Sequence, residues 1–194
     1  EANLLNYLWP LLIVLFAGFL PGVRVRGGQW LGTLLGLAAA VVLVTRGSAV
    51  SIHADYLPGY AAALGAAVIW AAYSVLNRRH ADVPSAAIAL PCVLVAMLGA
   101  AAHAAFETTV QPEPGQWLAL LGMGIGPVGA AFLLWDIGTK RGDIALLGSL
   151  SYLAPLLSTL LLVIAGQAQP HVSQAIAIAL LLLGAWLSVR KPAH

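Results

Sequence analysis

The residues able to do chemistry are few and mostly aromatic. Tyr7, Trp9, Trp70, Tyr73 and Tyr152 offer ring faces with polar rims, and Asn6 and Ser151 each precede one of these tyrosines with a hydrogen-bonding side chain. Such groups hold planar or cationic ligands by stacking and hydrogen bonding. They are binding groups and do not break bonds. Asp136 is the one acid placed within an apolar span, where an ionisable group is by default a candidate for proton coupling. Lys140, four residues on, favours the other reading, a structural ion pair. There is no HExxH, GxSxG or Walker-type loop, no paired acids within helices and no mid-helix lysine. Cys92 has no partner, which leaves neither a disulfide nor a CxxC metal site. The sequence therefore predicts no catalytic group, no metal, no cofactor and no enzyme.

The elements that must position these residues are membrane helices. Of the 194 residues 61% are hydrophobic and 8% charged, and the mean hydropathy is +0.92. So few charges cannot cover this much apolar surface in water. Runs such as 177–186 do not alternate as a membrane strand does. The chain reads as an all-α integral membrane protein, with the lipid bilayer as its partner and nucleic acid not indicated. Stretches of about 20 apolar residues give seven segments: A near 3–20, B near 29–45, C near 57–77, D near 84–106, E near 116–137, F near 144–165 and G near 173–190. The links are too short for a soluble domain.

Lysine and arginine in those links set the orientation. With the A–B, C–D and E–F links and the C-terminus in the cytoplasm, eight of the nine basic residues lie inside and Arg46 alone lies outside.

The chain also repeats itself. Tyr7-Leu8-Trp9-Pro10-Leu11-Leu12 recurs as Tyr152-Leu153-Ala154-Pro155-Leu156-Leu157, 145 residues later, and the same offset lays Gln29 on Gln174, Val44 on Val189 and Arg46 on Lys191. Segments A and B thus correspond to F and G. Five spans separate equivalent segments, so the copies cross the membrane in opposite directions. This predicts an inverted repeat, the architecture of secondary transporters, whose site lies near mid-bilayer at the repeat interface. Segments C to G make one five-helix unit, so the other should also have five. Residues 1–46 are then the last two helices of the first repeat, and 47–194 the second repeat. On this count about 90 residues and three helices precede Glu1 in a ten-helix parent.

Polar stripes in segments A (Asn3, Asn6, Tyr7, Pro10) and F (Gly148, Ser151, Tyr152, Pro155, Ser158, Thr159) should face the bundle interior. They either line a cavity or simply tie helices together and fill the bonds the prolines free. Tyr7 and Trp9 lie about 200° apart on an ideal helix, so they share a cavity only if a kink at Pro10 turns one of them. Pro10 and Pro155 are candidate hinges. In segment C, Trp70 and Tyr73 share a stripe with Ser74 and Asn77; Trp70 is either a cavity wall or plain packing, and Asn77, beside Arg78, reads as interfacial. Gly122 and Gly126 in segment E form a small-xxx-small pattern that permits close helix contact, and with Pro127 they make a pliable segment.

These motifs, with Gly124-Ile125-Gly126-Pro127, Leu134-Trp135-Asp136 and Lys140-Arg141-Gly142-Asp143, resemble the EamA-type drug/metabolite transporters, and within them the bacterial aromatic amino acid exporters. The resemblance implies two inverted five-helix repeats, a multi-pass protein of the bacterial inner membrane, and a central cavity open alternately to each side. It implies export of aromatic and other neutral amino acids. Nothing in the sequence sets an oligomeric state, and a monomer is favoured. The first three helices of the family pattern are absent here, and they supply part of its cavity. Two other readings stand beside it: export of drugs or other small metabolites on the same fold, and a membrane sensor or scaffold that transports nothing.

Overall fold

The structure, a computed structural model, describes residues 2–46 and 54–190. Among these there is no strand, and each of the seven segments is helical. Segment A is α1 (Ala2–Asn6) and α2 (Trp9–Ala17), B is α3 (Gly27–Thr45) and C is α4 (Leu57–Asn77). D is a 3-10 turn (Ser85–Ile88) leading into α5 (Ala89–Phe106). E is α6 (Pro114–Met123), a π-helical stretch (Gly124–Ala130) and α7 (Ala131–Arg141). F is α8 (Ile144–Leu150) and α9 (Leu153–Ile164), and G is α10 (Val172–Val189). Six of the segments, B to G, are long and apolar enough to cross a membrane.

Two compact units form: residues 1–76 with 143–194, and Asn77–Gly142. In the first, α3 packs along α10. Gly28 faces the Leu187 carbonyl, and Gly32 faces Ser188 and the Gly184 carbonyl; further along, Ala39, Ala40 and Leu43 share a core with Ala177 and Leu181. Early residues of α3 meet late residues of α10, so the two helices are antiparallel. They are also equivalent under the 145-residue offset, which lays α3 on 172–190. Equivalent helices running oppositely are what an inverted repeat requires.

The reason for the paired glutamines is local. Gln29 Oε1 accepts from the Arg26 amide at 2.9 Å, and Gln174 Oε1 accepts from the His171 amide at 3.0 Å. Each glutamine satisfies a backbone N–H that its helix start leaves without a partner.

The close approach expected at Gly122 and Gly126 does not occur: a Cβ added at Gly122, Gly124 or Gly126 would meet nothing within 4 Å. These glycines surround Pro127, which has no N–H to give and whose ring crowds the preceding turn. The chain widens there into a π turn. Close helix contact is made instead by Gly28 and Gly32, where any side chain would overlap the neighbouring backbone.

Candidate functional site

Segment A is not one helix. It breaks at Tyr7 and Leu8, and α2 begins just before Pro10. Segment F breaks at Ser151 and Tyr152, ahead of Pro155. A proline cannot donate to the carbonyl four residues back, so each break lies within the turn that its proline weakens. The break separates Tyr7 from Trp9, and the two find different partners.

Trp9 meets Trp70 edge to face, with ring centroids 6.4 Å apart. Trp70 in turn lies 5.6 Å from Tyr73, their planes tilted by 35°. These separations suit favourable ring–ring geometry. All three side chains are half-buried, and together they form an aromatic wall. On the same face of α4, Ser74 is buried and its hydroxyl donates to the Trp70 carbonyl at 2.8 Å.

Tyr152 lies elsewhere. It is fully buried, and its hydroxyl donates to the Tyr7 carbonyl at 2.9 Å. Its ring covers Gly36, where a Cβ would collide with it. Pro10 and Pro155 are both buried, whereas Asn6, Tyr7 and Ser151 are half-buried. The Ser151 hydroxyl donates to the Leu147 carbonyl at 2.6 Å, and the Thr159 hydroxyl to the Pro155 carbonyl at 2.8 Å. The Ser151 and Thr159 hydroxyls therefore bond within their own segment, whereas the Tyr152 hydroxyl crosses to segment A. Ser158, in the same stripe, is exposed.

Asp136 belongs to the second unit and is committed there. Lys140 Nζ stands 2.8 Å from its Oδ2, with both side chains at most 5% exposed. Asn77 Nδ2 donates to Asp136 Oδ1 at 2.8 Å and to Thr139 Oγ1 at 3.1 Å, while Lys140 also donates to the Val83 carbonyl. Asn77, itself half-buried, is thus tied into this network.

Sequence reasoning missed a second network, in the first unit. Asp143 caps α8 through the Ala145 and Leu146 amides and accepts from Gln29 Nε2 at 3.1 Å and Arg26 at 3.4 Å. The same guanidinium reaches the Ser188 carbonyl. The available signal was Asp143 itself, a helix-capping residue directly before an apolar run. A groove of about 370 Å³ in the second unit, lined by Val110, Pro112, Gln116, Ala119, Leu120 and Met123, contains none of the predicted site residues.

Helices broken before buried prolines, in antiparallel copies beside an aromatic wall, are parts suited to a solute carrier. Comparison with known proteins agrees: residues 57–190 match the EamA-like transporter family. The chain belongs to that family. Among curated relatives, the aromatic amino acid exporter YddG of Ancylobacter novellus is 54% identical over 186 residues, which are 95% of this chain and 65% of the relative. YddG of Escherichia coli K12 is 28% identical over 176 residues, 83% of this chain and 57% of that one. A solved crystal structure superposes with a TM-score of 0.93 at 53% identity, covering 97% of this chain and 67% of the other. The chain thus spans about two thirds or less of the length of the curated relatives it matches.

Proposed function

We propose that this chain carries the second repeat and part of the first of an exporter of aromatic and other neutral amino acids. In this reading residues 1–46 are the last two helices of repeat one and 47–194 are repeat two. Ten helices in the complete protein would enclose a cavity opened alternately to each side of a bacterial inner membrane, with the C-terminus in the cytoplasm.

The observation that carries the reading is the contact of Trp9 with Trp70. Trp9 belongs to the first copy and Trp70 to the second, so the aromatic wall crosses the junction where inverted-repeat transporters bind their substrates. Trp9, Trp70 and Tyr73 would stack on an aromatic side chain, with Asn6, Tyr7 and Ser151 at the polar margin. Tyr152 holds the backbone behind that wall, and Pro10 and Pro155 let the two copies rock. Asp136, held by Lys140 and Asn77, serves structure rather than proton coupling. Substrate identity rests on the names of the relatives.

Transport by the complete protein in liposomes tests this. Labelled Phe, Trp, Leu, Thr and Arg should leave loaded vesicles in an order led by the aromatic and other neutral amino acids. Flux no faster than from protein-free vesicles for every amino acid in the panel contradicts the proposal.

A further inference from the structure

Tyr7 and Tyr152 occupy the same place in two copies of one unit, yet they are used differently. Tyr152 has no exposed surface, and its hydroxyl donates to the Tyr7 carbonyl at 2.9 Å. In an unbroken helix that carbonyl would accept from the Leu11 amide, four residues on. The phenol therefore takes the place of a backbone bond at the break in segment A. At the break in segment F the Ala154 amide donates to the Ser151 carbonyl at 3.1 Å and the Ser151 hydroxyl to the Leu147 carbonyl, while at the break in segment A the Leu8 amide donates to the Leu5 carbonyl at 3.2 Å. Tyr7 stays half-buried and packs against the core cluster that contains Leu181. Leu181 is the counterpart of Gly36 at the 145-residue offset.

We propose that Tyr7 and Tyr152 are an exchangeable pair whose alternation accompanies the change of access. The inference rests on the alternating-access reading above. Two inverted copies reach opposite sides of the membrane by exchanging conformations, so a bond made from one copy to the other in one state has its mirror bond in the other state. Here Tyr152 bridges the break of the first copy. In the opposite state the Tyr7 hydroxyl donates to the backbone at the Ser151–Tyr152 break, and the Tyr152 ring leaves Gly36 for the cavity. The two states are unequal because Leu181 has a side chain where Gly36 has none, which favours the state seen here.

The hydroxyls alone are tested by Tyr152→Phe and Tyr7→Phe, which keep both rings and so preserve packing. The complete protein, with its native cysteines replaced, is reconstituted in nanodiscs. Spin labels are placed at Arg24→Cys with Leu76→Cys near one end of the first unit, or at Leu57→Cys with Gln167→Cys near the other, and distance distributions are recorded with and without Phe. Tyr152→Phe should lower the share of distances matching this structure by roughly threefold, the scale of one hydrogen bond in a membrane. Tyr7→Phe should raise that share by a similar factor. Shifts in the same direction, or no shift in either variant, overturn the pair. A single population in every sample overturns it together with alternating access. Phe flux through the unlabelled protein separates the two failures, because normal flux with unshifted populations removes the pair and leaves the exporter standing.

Discussion

Lys140 and Asp136 place opposite charges side by side in an almost fully buried setting, where losing one partner strands the other. Replacing Lys140 with Met should lower the stability of the complete protein in detergent by about 3–5 kcal/mol, read from its unfolding transition. Adding Asp136→Asn removes the stranded charge and should restore much of the loss. If the double variant unfolds no later than the single one, the pair does not hold this network together. The pair itself was legible, because its partners are four residues apart on one helix. Asn77 and Val83 were not, lying 57 or more residues away along the chain, where no local periodicity points to them. Tyr152 was legible as a repeated residue. Its bond was not, because the Tyr7 carbonyl becomes available to it only once segment A has broken.

At the level of elements, glycine stripes that look alike in sequence do different work. Gly32 lies against the Gly184 carbonyl and Ser188, so Gly32→Leu should force α3 from α10 and destabilise the protein by about 1–3 kcal/mol or more. Gly122 faces open space, and Gly122→Leu should shift the same unfolding transition far less. Equal losses would mean that the antiparallel α3–α10 contact is not the tighter one. The small-xxx-small pattern marked Gly122 and Gly126 because it records spacing alone; it carries no information about whether a neighbour arrives. Gln29→Ala should cost about 1 kcal/mol, the scale of a lost helix cap, and more if the bond from Gln29 to Asp143 adds to it. The helix positions themselves were read from hydropathy within a few residues. The breaks were foreshadowed by Pro10 and Pro155, but proline alone does not tell which residue of the preceding turn leaves the helix.

At the scale of the molecule, the 145-residue repeat foretold the most. It makes α3 and α10 equivalent, and the antiparallel packing of those helices follows from an odd number of intervening spans. What repetition leaves open is the difference between the copies: Trp9 has Ala154 as its counterpart, and Tyr152 is buried where Tyr7 is not. The aromatic wall is assembled by Trp9, Trp70 and Tyr73 from segments A and C, and only the folded chain brings them together. The central claim is that this wall binds the transported amino acid. Its most direct test is efflux of labelled Phe from liposomes containing the complete protein with Trp70 replaced by Ala or by Phe. Trp70→Ala should reduce Phe efflux at least tenfold while Trp70→Phe retains most of it, because a ring remains for the substrate to stack on. Unchanged Phe efflux in Trp70→Ala, from protein that unfolds at the parent temperature, would place the substrate somewhere other than this wall.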